Sequence, residues 1–468
     1  MKLFTLALSL FVASSAVAQK ELPLPSGLPP YGPDKPIQAP AVQEEKLENG
    51  LTVWMVPRSG FPKVSLILAT VGGTSADPRD RPGLAQLIAT TLSEGTKHRG
   101  ARQIAEEMQD AGGDIATAGL GDVIHVSASA LSARVFKGVA VLADIVQNAT
   151  FPDNEVALAK RNLAGQLEQQ EADPSFLASR AMSKVLFRDT PYALATPTKQ
   201  SIEATTAPEL RAEFARRFRP GQALLVIVGD FRAEEMLAQV RDQFGGWRNP
   251  SLPPVPLATA PTAPPPNAIF LIPRPESVQT TLLFGAFGPL RGDPDYETAQ
   301  VANAIYGGSF GSRLTSNIRE DKGYTYSSFS FLQTYRAAGV FETRADVRNS
   351  VTGAAFNEIA YEMNRMAATA VTDRELQQAK RYLVGIEAFR LQSQDAVAAV
   401  LADLWSKGLS ALEIARYDKK IGAVTAADVE SVSRKYFAAS RMSVVAVGEE
   451  TIIRNSLSPF GLSINLAP

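Results

Sequence analysis

Apolar and polar positions along this chain follow two periods, one of about two residues and one of about 3.6. Stretches 52–57, 64–71 and 123–131 alternate and read as strands. The unbroken apolar run 223–229 reads as a strand buried on both faces. Asn49-Gly50, set between Leu47 and Leu51, is a hairpin turn. Leu84, Leu87, Ile88 and Leu92 share one face of a helix predicted over 83–94. Further helical stripes cover 101–111, 136–147, 176–187, 208–218 and 233–244. Asp153 reads as the N-cap of a long helix reaching about residue 171. Later in the chain, Ala299, Ala302 and Ile305 mark a helix over 296–306. A short helix over 314–319 follows, then a strand over 327–332.

The pattern occurs twice. Val56-Pro57-Arg58 returns as Ile272-Pro273-Arg274. Asp153, Glu155, Ala159, Lys160, Arg161, Leu163 and Gly165 return 220 positions later as Asp373, Glu375, Ala379, Lys380, Arg381, Leu383 and Gly385. Val228-Gly229-Asp230 returns as Val447-Gly448-Glu449. Two copies are too few for a solenoid. The chain therefore divides into two homologous α+β domains, 44–248 and 268–468, joined by a proline-rich linker at 249–267. Each is expected to be a mixed, largely antiparallel sheet faced by helices. Residues 19–43, with Pro29-Pro30, read as an extended arm.

Composition narrows the chemistry. The formal net charge of −1 over 468 residues gives no bulk field for nucleic acid. The chain has no cysteine, which removes thiolate catalysis, Cys-zinc sites and disulfides together. Lys2, the apolar stretch 3–12 and Ala16-Val17-Ala18 have the layout of a secretory signal peptide over 1–18. Gln19, the residue after the cut, is not the cysteine of a lipoprotein. The protein is expected to be exported, into a bacterial periplasm, with no membrane span.

The stretch with the most chemistry is Gly307-Gly308-Ser309-Phe310-Gly311. Three glycines in five residues end a helix and leave the backbone free for close approach. Arg319 and Tyr326 follow, seven residues apart, with Gly323 between them. This order of glycine loop, short helix, Arg and Tyr resembles the C-terminal half of the pitrilysin, insulinase and mitochondrial-processing-peptidase superfamily of zinc peptidases. The resemblance runs from Leu47 to about Ile464. It implies a clam-shell of two homologous domains around a substrate chamber. It also implies that Arg319 and Tyr326 bind substrate backbone and stabilise the transition state. Gly307, Gly308, Ser309 and Gly311 would then line the bound peptide. Tyr324 is a rival for the role of Tyr326.

The same resemblance implies a zinc helix in the first half, with the pattern H-x-x-E-H. The flanks, Gly83-Leu84 before and Glu94-Gly95-Thr96 after, are in place. Gln86 and Thr90 stand where the two histidines belong, and Ala89 where the general base belongs. Gln166 stands at the place of the distal glutamate ligand. Ala116-Thr117 stands where the resemblance implies an Asn-Ala pair on the cleft-lining strand. An amide, a methyl and a hydroxyl do not make a catalytic zinc site. The only histidines, His98 and His125, belong to no metal-binding pattern and read as surface and strand packing.

Some members of the superfamily divide the labour between similar subunits. The resemblance therefore implies a non-zinc subunit of an exported heteromeric metalloendopeptidase, inactive alone. A homologous partner carrying H-x-x-E-H would hold the zinc and general base, and the substrates would be unstructured peptides. A catalytically inert peptide-binding or scaffolding protein is the other reading.

Overall fold

Among the described residues twelve strands form two sheets. The computed structural model describes residues 36–248, 251–261 and 265–468. The signal read at 1–18, residues 19–35 of the arm, and 249–250 and 262–264 of the linker lie outside them. The first half contributes β1 (Gln43–Lys46), β2 (Thr52–Pro57), β3 (Lys63–Val71), β4 (Ile115–Gly119), β5 (Val123–Leu131) and β6 (Ala223–Gly229). The second contributes β7 (Ile269–Pro273), β8 (Gln279–Gly288), β9 (Thr325–Thr334), β10 (Gly339–Arg348), β11 (Ser443–Gly448) and β12 (Ile464–Leu466).

The sheets run β1-β2-β6-β3-β5-β4 and β12-β7-β11-β8-β10-β9. From the second strand of each order onward the topology is identical. In each, one central pair is parallel, β2 with β6 and β7 with β11, and the pairs beyond it are antiparallel. The outermost strands differ. β1 pairs antiparallel through the Asn49-Gly50 hairpin, with Gly50 at φ +97°, while β12 arrives from the C-terminus and pairs parallel. Neither short strand carries a strong apolar alternation, and sequence reading gave neither. Asp153 is the first residue of its helix (Asp153–Glu171) rather than its cap, a position held by Pro152. A carboxylate there still favours the helix N-terminus electrostatically.

The central strands are apolar on both faces because both faces are covered. Val64, Leu66 and Leu68 of β3 point into the first half's own helices, while Ile67 and Ala69 point the other way. The covering on that second face is exchanged. The helix Gln394–Ser406 of the second half packs Val397, Ala398 and Leu401 on Trp54, Ile67 and Val226. The helix Pro174–Phe187 of the first half packs Ala178, Met182 and Leu186 on Leu283, Val340 and Val445. Approach is close: a Cβ on Gly285 would lie 2.6 Å from Met182 Sδ.

The repeated arginines belong to this exchange. Arg58 Nη1 donates to the Leu391 carbonyl at 3.0 Å, at the C-terminus of the helix Asp373–Arg390. Arg274 Nη1 donates to the Ala172 carbonyl at 2.6 Å, at the C-terminus of the helix Asp153–Glu171. Each half thus neutralises the last turn of the other half's long helix. Residues 37–468 form one compact unit.

Candidate functional site

The helix Tyr296–Tyr306 stops at Gly307, and the loop that follows is stitched to β9. Gly307 N and Gly308 N both donate to the Asn303 carbonyl, at 2.9 and 2.7 Å. Asn303 Nδ2 donates to the Ser330 carbonyl at 3.2 Å, and Ser330 Oγ donates to Asn303 Oδ1 at 2.6 Å. Ser330 N donates to the Gly307 carbonyl at 3.0 Å. Glycine is required where the two segments meet. A Cβ would stand 2.7 Å from Ser330 Oγ at Gly307 and 2.4 Å from Asn303 Nδ2 at Gly308, while Gly311 faces open space. Ser309 Oγ donates to the Ala304 carbonyl at 2.9 Å, so its hydroxyl braces the loop.

Ser312 then caps a single α-turn, Arg313–Thr315, which widens into a π-helix over Ser316–Asp321. Such wide turns are rare and cluster at functional sites. Ile318 is fully buried and anchors the turn. Arg319, the next residue, is turned outward between two rings. Its Cζ lies 4.7 Å from the Phe310 centroid and 5.2 Å from that of Tyr326, and its Nε lies 3.3 Å from Glu320 Oε1. Phe310 is 70% exposed and Tyr326 88%. Each cation–π contact at such a surface is worth about 0.5–1 kcal/mol. The chain brings Arg319, Tyr326 and the glycine loop together, and the link is Phe310. Sequence reading gave Phe310 no role, although a large ring amid glycines and serines has no core to join.

Tyr324 separates from Tyr326. It precedes β9, its N–H donates to the Ile318 carbonyl at 2.8 Å, and its ring packs on the second-half core. The two tyrosines share no strand face, because Gly323, at φ +61°, turns the chain between Arg319 and Tyr324 and leaves Tyr324 ahead of β9. Behind the loop, Arg313 forms a two-pronged pair with Glu375, at 2.6 and 2.9 Å. Burial raises the Glu375 carboxyl, but hydrogen bonds from Arg313 and Thr372 together with the Arg313 charge outweigh it and hold the group at about 2.

The first half holds the other residues. The helix Leu84–Thr91 starts on Asp77, whose carboxylate accepts from Gly83 N and Ala85 N at 3.0 Å. Asp77 is paired at 2.9 Å with Arg217, and both side chains are fully buried. Burial lifts the Asp77 carboxyl to about 6 against the pull of Arg217. On this helix Gln86 is half-buried with Oε1 lacking a partner, Ala89 is buried, and Thr90 Oγ1 is spent on the Gln86 carbonyl at 2.8 Å. Thr117 Oγ1, on the edge strand β4, donates to the Ala89 carbonyl at 2.7 Å. Gln166 sits exposed on the adjacent helix Asp153–Glu171.

These side chains do not fit zinc: none is an imidazole, a thiolate or a carboxylate. Among the described residues no group of three or more His, Asp or Glu side chains is placed to hold a metal ion. His98 Nδ1 lies 2.7 Å from Asp144, and His125 on β5 is kept neutral by burial, which drops it to about 4. No helix among the described residues is long and apolar enough to cross a membrane.

Two family models match the chain. Residues 57–198 match the family model described as insulinase (peptidase family M16), and residues 204–383 match the peptidase M16 inactive domain. A Helicobacter pylori protein named non-peptidase homolog YmxG is 25% identical over 337 residues, 70% of this chain and 76% of its own. An uncharacterized zinc protease of Rickettsia bellii is 27% identical over 418 residues, 86% and 96% of the two chains. In three dimensions, a peptidase M16 inactive domain from Pseudomonas fluorescens superposes with a TM-score of 0.82 at 27% identity, over 87% of this chain and 98% of that one. A second structure, a Helicobacter pylori protease, superposes at 0.81 with 17% identity and shares the fold. The chain belongs to peptidase family M16, as a two-domain member with no group of metal-ligating side chains among its described residues.

Proposed function

We propose that this protein is the non-zinc subunit of an exported heteromeric endopeptidase. A homologous partner carrying H-x-x-E-H would supply zinc and general base, and this chain would supply Arg319 and Tyr326 across the interface. The observation that carries the reading is the guanidinium of Arg319 held between Phe310 and Tyr326, with both rings exposed. Two large rings exposed around a fixed cation suit a surface completed by another molecule. Peptide hydrolysis develops an oxyanion, and a fixed guanidinium with a phenol donor lowers its energy. The glycine loop, closed against β9, would lie beside the bound peptide.

The relative named as a non-peptidase homolog favours a second reading, an inert peptide-binding or scaffolding protein. Peptidase assays on an unstructured peptide separate the two. The chain is assayed alone with zinc, then co-expressed with a homologue bearing H-x-x-E-H. The split site requires activity only in the mixture, reduced by roughly 100-fold or more in kcat/KM by Arg319→Ala. Tyr326→Phe is expected to lower kcat with little change in KM. Activity in the mixture that ignores both substitutions assigns the scaffold role instead.

A further inference from the structure

The duplication gives the degenerate helix a counterpart. The helix Tyr296–Tyr306 occupies in the second half the place of Leu84–Thr91, and Asp373–Arg390 the place of Asp153–Glu171. The 220-residue offset carries Gln166 onto Ile386. Ile386 is in the wall of a cavity of about 440 Å³ between these helices and the end of β9.

The cavity is lined by charge. Asp403 is shared by Arg291 Nη1, at 3.0 Å, and by Lys407 Nζ. Glu387 faces Arg390 Nη1 at 3.2 Å. Three cations against two carboxylates leave one positive charge. His125, near Asp403 and Lys407, adds none because burial keeps its imidazole neutral. The phenol of Tyr417 also lines the cavity, and burial keeps it protonated and able to donate.

Gln300 is incomplete. Its Nε2 lies 3.2 Å from Tyr296 Oη, and its Oε1 is buried with no partner. A buried polar atom left so is destabilising.

We propose that this cavity binds a small monoanionic carboxylate, presented by the free carboxyl end of a peptide or by an organic acid. A monoanion neutralises the lining, whereas a dianion overshoots it. The paired oxygens of a carboxylate match the fork of an arginine. The Tyr417 phenol donates the further hydrogen bond to the ligand. The site lies apart from Arg319 and Tyr326 and stands whether or not the split-site reading does.

The test is calorimetric titration of the full chain with acetyl-trialanine, its C-terminal amide, sodium acetate and inorganic phosphate. The free-acid tripeptide is expected to bind, and the amide to bind at least roughly tenfold more weakly. Arg390→Gln and Tyr417→Phe should each weaken the acid by roughly tenfold and leave the amide unchanged. The Arg390 side chain is 48% exposed, so its replacement tests binding rather than folding. Acetate as tight as the tripeptide makes the occupant a free organic acid, and a tighter tripeptide makes it a peptide end. Three results overturn the proposal: no binding of either carboxylate, phosphate binding more tightly than both, or acid binding indifferent to both substitutions.

Discussion

A Cβ at Gly308 would stand 2.4 Å from the Asn303 amide nitrogen, while Gly311, three residues on, meets nothing within 4 Å. Two glycines of one loop therefore have different reasons to be glycine. Gly308→Ala forces Asn303 off Ser330 and is expected to cost about 1–3 kcal/mol in denaturant unfolding. Gly311→Ala is expected to be neutral, or slightly stabilising through the unfolded chain. Equal effects at both sites would mean the loop is not held by the Asn303–Ser330 stitch. Asp144 supplies a second residue-scale prediction. Burial raises its carboxyl, but donors from Thr96, His98, Arg99 and Asn148 outweigh that and hold it at about 2. Its folded pKa lies below the unfolded one, so this stabilisation is complete above the unfolded value. It is lost as pH falls toward the folded value. The stability gap between wild type and Asp144→Asn should be constant above about pH 5 and shrink toward pH 2. A gap independent of pH would show that the carboxylate charge contributes nothing.

The elements divide into those the sequence announced and those it did not. Strands β2, β5 and β6 and the helices Tyr296–Tyr306 and Ala233–Phe244 have the bounds their apolar periods indicate, because each buries a face against its own half. The pairing of Arg319 with Tyr326 was legible from a family pattern of residues. Its geometry was not, since a π-turn has no local signature and Phe310 looks like any loop residue. The helix exchange was also illegible: Val397, Val400 and Leu401 mark a face as apolar but carry no address for the sheet that covers it. The one trace of the exchange was the repeated Pro-Arg after β2 and β7, whose arginines cap the opposite long helices. Arg58→Ala and Arg274→Ala are each expected to cost about 1 kcal/mol, and the double variant about the sum, since the two caps share no partner. Thermal unfolding of the three variants measures this. A marked departure from additivity would mean that the caps act through one shared rearrangement.

At the scale of the whole molecule, the exchange decides how the chain holds together. Neither sheet owns the helix on its second face, so removing one half uncovers Trp54, Val56, Ile67, Val226 and Val228 in the other. Burying one such side chain contributes roughly 1.5–3 kcal/mol. An exposed face of this size is comparable to a small domain's whole margin of about 5–15 kcal/mol. The linker, by contrast, adds few contacts of its own around Thr259 and Ala260, which are exposed. A protease site inserted between those two residues and then cut should leave the halves associated on size exclusion, with one calorimetric transition at nearly the uncut midpoint. Residues 44–248 or 268–468 expressed alone should lack a cooperative transition. Two separate transitions after cutting, or a stable isolated half, would show that each sheet closes its core without the exchanged helix. The presentation of Arg319 on its π-turn beside Tyr326 on β9 would then depend on the second half alone. With a single transition, damage to the first half's core, such as Leu225→Ala, should also lower the fraction of chain able to present that pair.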